Sequence, residues 1–273
     1  MQRSTNNLKF KLKIFKLPIR NVWEVFILSL IFENMKTDIL AFGAHPDDVE
    51  LGCGGTIAKL VSEGKTCVIV DLTKGEMGTR GTDETRKEEA TDSAKILGVS
   101  ARENLGMKDG FLVNSEEYQM KIVKMIRKYR PEIVLANAID DRHPDHAKGA
   151  KLVSDACFLA GLRKIETVED GENQEVWRPK HIFHYIQWKN IQPEFVIDIS
   201  EHLDKKLEAC MAFKTQFYDP NSNEPVTPIA TKDFFESLTY RAQDLGRLSG
   251  VAYAEGFTTE KLIALKNFDG IVL

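Results

Sequence analysis

From residue 37 onward the apolar positions alternate between two rhythms. The runs "TDILAFGA" (37–44), "TCVIVDLT" (66–73) and "EIVLANA" (132–138) are short, nearly unbroken and bounded by turn or charged residues. That pattern predicts strands buried on both faces. "ENLGM" (103–107) reads as a shorter strand of the same kind. Between them apolar residues recur at helical spacing. Val49, Ile57, Leu60 and Val61 share a helix face in 49–65, with Gly64 as its stop. Ala90, Ala94 and Leu97 do so in 83–98, which Gly98 ends. Pro131 stops a helix over 115–130, and another covers 147–161. Strands alternating with helices imply βαβ crossovers. The expected fold is α/β: a Rossmann-like, mostly parallel sheet with helices on both faces.

Past residue 175 the alternation loosens. "HIFHYIQW" (181–188) and "FVIDI" (195–199) predict strands. A helix is expected over 200–217 with Ser200 as its cap, and another over 231–250. Phe234, Phe235, Leu238 and Leu245 lie at helical spacing in the latter and predict core or subunit contact. His181 and His184, three apart in a strand, face opposite sides. Nothing resembling a linker separates this part, so residues 35–273 are expected to form a single domain with C-terminal elaborations.

The first 34 residues stand apart. Six basic residues and no acid precede an apolar stretch at 22–32 that is too short to span a bilayer. No small-residue cleavage site follows it. Met35 is the expected true start, with residues 1–34 a gene-start artefact outside the fold and a membrane-surface anchor as the alternative. The remaining composition suits one sizeable core, and a net charge of −4 lacks the basic footprint of a nucleic-acid binder. The four cysteines, Cys53, Cys67, Cys157 and Cys210, form no C-x-x-C pair, which implies reduced thiols and a cytoplasmic location. Cys53 reads as a small packing residue near a helix start.

Two short motifs break the pattern. "AHPDD" (44–48) follows the first strand and "DDRHPDH" (140–146) follows the fourth. In open parallel sheets functional loops leave the carboxyl ends of strands, so the two can meet at one crevice. His with carboxylate there has three readings. Asp can simply cap the next helix. A nucleophile–His–Asp set is conceivable, but no G-x-S-x-G elbow occurs. A metal site explains more of the residues, because catalytic zinc takes three His or carboxylate ligands and leaves a position for water. His45 and Asp48 are three apart, as are His143 and His146, and Asp47 is placed to accept a proton from that water. The glycines of "ELGCGGT" do not match G-x-G-x-x-G, which argues against a dinucleotide site.

In order and spacing, "AHPDDVELGCGGTIAKL", "GEMGTRGT" and "RHPDHAKGA" resemble the PIG-L (LmbE-like) family of zinc-dependent N-deacetylases, which act on N-acetylglucosamine carried by another group. The likeness covers most of residues 37–270. "LGMKDG" and the stretch 141–165 are most similar to the branch that deacetylates N-acetylglucosaminyl-malate in bacillithiol biosynthesis. The resemblance implies zinc held by His45, Asp48 and His146. Fe2+ or another divalent ion suits the same donors. It further implies Asp47 as general base, His143 facing the tetrahedral intermediate or the leaving amine, Asp145 orienting His143, and Arg80 binding substrate. Where relatives acting on mycothiol precursors have a tyrosine, this chain has Asp141; Tyr185 and Tyr218 are the candidate pocket tyrosines. Arg86, Lys87 and their acidic neighbours read as a solvated helix face. The expected partner is a small-molecule glycoside, without nucleic acid or stable membrane insertion, and a homo-oligomer is compatible.

Overall fold

The first two strands, β1 (Ile39–Gly43) and β2 (Cys67–Thr73), are buried along their whole length, as apolar runs covered on both faces must be. The structure is a computed structural model and describes residues 36–268 and residue 271. The N-terminal extension expected over 1–34 lies outside the described residues. Helices α1 (Asp48–Ser62), α2 (Asp83–Leu97), α3 (Glu116–Tyr129) and α4 (Pro144–Ala160) follow β1, β2, β3 (Ala101–Met107) and β4 (Ile133–Ala136) in turn. After a two-stranded ribbon, β5 (Val168–Glu169) with β6 (Glu172–Asn173), come β7 (His181–Tyr185), β8 (Phe195–Asp198), α5 (Leu203–Met211), α6 (Lys232–Ser249) and β9 (Ala254–Thr259).

The main sheet runs β3-β2-β1-β4-β7-β9-β8. Its first five strands are parallel, and β9 pairs antiparallel with both β7 and β8. Because successive side chains alternate, each strand feeds two cores. Leu40 and Phe42 pack with Ile122, Val123, Leu152 and Val153 of α3 and α4. Ile39 and Ala41 pack on the other face with Val49, Ile57 and Leu97 of α1 and α2. The expected mostly parallel α/β sheet is therefore what forms. The order reverses at β1, with β2 on one side and β4 on the other. This is the switch point at which the carboxyl ends of two neighbouring strands open a crevice, and the two His-Pro-Asp loops emerge there.

The C-terminal part departs from expectation in two places. β9 was not anticipated. The helix expected over 200–217 is confined to Leu203–Met211, and Ser200 does not cap it. Ser200 Oγ instead donates to Asp198 Oδ1 and accepts from the backbone of Ala252 and Tyr253, joining β8 to the turn before β9. β9 also explains a break in α1. Cys53 leaves helical geometry (φ −147°), and Glu255 of β9 accepts from the backbone N–H groups of Gly55 and Thr56 that the break exposes. Lys206 of α5 neutralises that buried carboxylate at 2.6 Å. Cys53 is fully buried in the core, as a small packing residue should be. Among the described residues no helix is long and apolar enough to cross a membrane.

Candidate metal centre and active site

After β1 the chain turns sharply into α1, and Asp47 at the turn takes φ 123°, a region that strains any residue with a Cβ. The turn folds His45 back over the start of the helix. His45 N donates to Asp48 Oδ2 at 2.9 Å, and its Nδ1 lies 3.4 Å from the same oxygen. The second loop enters α4 differently. His143 is the N-cap and Pro144 occupies the first turn, where a missing N–H costs nothing. That sets His146 one turn in, with Nε2 3.2 Å from Asp48 Oδ1.

Asp48 thus stands between His45 and His146. Donors at zinc-bond lengths of about 2.0–2.1 Å in a tetrahedron lie about 3.3–3.4 Å apart, so the His45–Asp48 and His146–Asp48 separations are each of the size that two ligands of one ion would have. Each histidine also has a carboxylate on its other ring nitrogen: His45 Nε2 to Asp109 Oδ1 at 2.9 Å, His146 Nδ1 to Asp141 Oδ2 at 2.6 Å. Carboxylate–histidine pairs of this kind orient metal-ligating imidazoles and fix their tautomer. Asp48 is held in turn by Asn137 Nδ2 at 3.0 Å and Gln187 Nε2 at 2.5 Å. The donor set therefore fits a zinc-like cation.

Two other groupings are close enough to consider. Ligand atoms of His45, His143 and His146 lie within 4.8 Å of one another, so His143 borders the same centre. His45, Asp109 and Asp145 also converge. However, both Asp145 oxygens accept backbone N–H groups, from Gly110 at 2.7 Å and Leu112 at 3.2 Å, and Asp109 Oδ2 accepts from Met77 N at 2.9 Å. These two carboxylates thereby tie Met77 and the 110–112 segment to the centre, whereas Asp48 faces both imidazoles.

The charges reflect the crowding. Burial works against ionising His45, but Asp109, Asp145 and Asp48 together hold it well above its ordinary pKa. His146, also opposed by burial, is lifted to about 9 by Asp48 and Asp141. Burial raises Asp47 to about 7, with Arg86 pulling the other way. Burial and the neighbouring His45 and His146 push His143 down, so it is a neutral imidazole at pH 7. Its Nδ1 accepts from Asp145 N at 3.3 Å, which leaves the proton on Nε2 as a donor.

One cavity holds His45, Asp47, Asp48, His143 and His146 together. Several expectations change here. The Asp145 carboxylate does not hold His143; its backbone N–H does. Arg80 is buried with Nη2 on Ser222 Oγ at 2.6 Å and is not in the cavity wall. Arg86 is not solvated: it is 5% exposed, lines the cavity and contacts Asp47. Phe234 and Leu238 form cavity wall as well as core. Tyr185 is wholly buried with its hydroxyl on Phe42 O at 2.9 Å, and Tyr218 is not in the wall. Sequence reasoning passed over Asp109, Asn137 and Gln187 and gave Asp141 no role. A polar Asn137 at the carboxyl end of an apolar strand run was the signal available.

The model of the PIG-L family, GlcNAc-PI de-N-acetylase, matches residues 40–157, which include both histidine loops. The diacetylchitobiose deacetylase of Thermococcus kodakarensis is 32% identical over 242 residues, 85% of each chain. The conserved protein TT1542 from Thermus thermophilus superposes with a TM-score of 0.75 and 35% identity, covering 84% of this chain and 98% of that one. The 4-oxalmesaconate hydratase of Pseudomonas putida is 27% identical over 206 residues, 68% of this chain and 78% of the hydratase. Relatives thus differ in reaction. The extent of the match to the deacetylase places this chain in the PIG-L family.

Proposed function

We propose that this protein is a metal-dependent amidohydrolase that removes the acetyl group from an N-acetylglucosaminide. The observation that carries the reading is Asp48 between two imidazoles from separate loops, each backed by its own carboxylate. His45, Asp48 and His146 hold the ion, zinc or another divalent cation such as Fe2+. When bound, zinc polarises a carbonyl and brings the pKa of a water near 7. Asp47, in the wall of the same cavity, would accept a proton from the attacking water and return it to the departing amine. His143 offers Nε2–H to the oxygen that gains charge as the amide carbonyl becomes tetrahedral. Asp145 seats the 110–112 loop through its carboxylate and His143 through its backbone.

The finer reading is that the substrate is N-acetylglucosaminyl-malate, as in bacillithiol biosynthesis. Arg142 supports it. This arginine lines the cavity, lies 4.3 Å from the Trp188 ring centroid and makes no ion pair among the described residues. A guanidinium steadied on an aromatic face suits a carboxylate-bearing aglycone. The test is acetate release by metal-loaded protein from N-acetylglucosaminyl-malate, diacetylchitobiose and free N-acetylglucosamine. Turnover of the first at the highest kcat/KM, with Arg142→Ala impairing that substrate alone, is expected. No acetate from any of the three would remove the deacetylase reading; equal turnover of all would remove the malate.

A further inference from the structure

The strained turn at Asp47 needs something to hold it. In α2, forty residues away in sequence, Arg86 projects across the crevice, and its Nη2 donates both to Pro46 O and to Asp47 Oδ2, the latter at 3.3 Å. One nitrogen therefore grips the peptide just before the strained residue and that residue's carboxylate. The guanidinium is itself confined. A Cβ on Gly75 would sit 3.0 Å from Arg86 Cζ and 3.1 Å from Nη2, and Gly75 has φ +70°. Gly78 approaches Nη1 as well, with an ideal Cβ at 3.6 Å. The beginning of "GEMGTRGT" thus lies against the arginine; a Cβ at 75 would press on the guanidinium and sit on left-handed backbone that favours glycine.

We propose that Arg86 is a positioning residue that pins Asp47 in its strained, cavity-facing conformation, and that Gly75 is required to admit its guanidinium. The role rests on the reading of Asp47 as general base. It differs from that of an ordinary buried ion pair, because the contact to Pro46 O fixes backbone as well as charge. It also gives the glycine-rich loop a task independent of substrate contact.

Arg86→Ala, Arg86→Lys and Gly75→Ala test it in the full chain. In Arg86→Ala, kcat should fall by about 10- to 100-fold, as for other residues that orient a reacting group, with KM and metal affinity unchanged. Because Arg86 lines the open cavity, added guanidinium ion should restore part of that loss. Gly75→Ala should lower kcat without rescue, since its arginine is displaced rather than missing. Arg86→Lys, which keeps the charge and most of the stem, should fall between wild type and alanine and covers the case in which alanine does not fold. Unchanged kcat in the folded variants, or a loss that follows metal content and resists guanidinium, would overturn the proposal. A second readout needs no turnover. In a crystal structure of metal-free Arg86→Ala, φ at Asp47 should leave the positive region. Retention of the wild-type angle there overturns the clamp, even if the wild-type protein proves to deacetylate no glycoside and the deacetylase reading fails by itself.

Discussion

Metal binding at this centre should be a proton-exchange reaction, and its stoichiometry follows from the geometry. Contacts with carboxylates hold His45 well above its ordinary pKa and His146 at about 9. Asp48 is held well below the carboxylate range; burial opposes its charge, but His146 and His45 more than compensate. In metal-free protein at pH 7 the pocket therefore holds two imidazolium protons and an ionised Asp48. Both protons must leave before the ring nitrogens can ligate. Raising the pH from 6 to 8 should then strengthen apparent affinity, by about 10-fold per pH unit for each proton released. Competition against a chelator of known protonation, together with calorimetry in buffers of different ionisation enthalpy, counts those protons directly. The same shift predicts stability. His146 has a folded pKa above its unfolded value of 6.5, so its contribution is fully present below pH 6.5 and is lost as pH rises through about 9. That difference amounts to about 3 kcal/mol, or roughly 6–12 °C in melting temperature for a domain of this size. Chelated protein should therefore melt lower at pH 9.5 than at pH 6, while loaded protein should not show the drop. A pH-independent affinity with no proton released would refute the reasoning, because the two imidazoles would then already be neutral in the metal-free protein.

Other substitutions separate the roles. Asp48→Ala removes the carboxylate shared by both histidines and should abolish bound metal; full occupancy by elemental analysis would contradict it. His143→Ala should retain metal while kcat falls by about two to three orders of magnitude, and normal turnover would remove it from the chemistry. Asp141→Asn keeps an acceptor for His146 Nδ1 but loses its charge, so metal affinity should drop by about 10- to 100-fold; unaltered affinity in a chelator titration would contradict the supporting role. Gly52→Ala would place a Cβ 2.1 Å from the Tyr185 ring, and overpacking of this severity should cost at least about 1–3 kcal/mol. A melting temperature equal to wild type would count against the packing argument.

The parallel half of the fold was legible because its strands are unbroken apolar runs and its helices carry clear apolar faces, so local pattern and tertiary burial coincide. β9 was not, because Glu255 and Gly256 interrupt the run "AEGFTT". Glu255 is tolerated in a buried strand only through Lys206 and the N–H groups of Gly55 and Thr56, partners that no local window contains. Arg86 was misread for a related reason. It sits among Asp83, Glu84, Lys87 and Glu88, a composition that reads as a solvated face, and only the return of the Pro46–Asp47 turn against α2 buries it. The residues of the two His-Pro-Asp motifs were visible as chemistry because His and Asp behind strand ends are unusual. Their supports were not, since Asp109, Asn137 and Gln187, which follow β3, β4 and β7, become significant only once the sheet brings those strand ends to the end of β1.

The two copies of His-Pro-Asp also show why a motif's role depends on its register against the helix that follows. In the first, the tripeptide lies before α1, whose first residue is Asp48. In the second, α4 begins at Pro144, two residues earlier within the same pattern. The aspartates diverge accordingly. Asp47, kept out of the helix by a positive φ, presents its carboxylate to the cavity wall beside Arg86. Asp145, already in the first turn, directs its carboxylate into the interior, where the N–H groups of Gly110 and Leu112 consume it. The histidines diverge as well. His45 reaches the centre together with the residue three further on, whereas His143, fixed as an N-cap, borders the centre and leaves the inner position to His146. One tripeptide therefore supplies an inner imidazole and a cavity-facing carboxylate in one setting, and a bordering imidazole and a structural carboxylate in the other. The shift in helix start, set by the strained turn at Asp47, is what makes the two loops complementary rather than redundant.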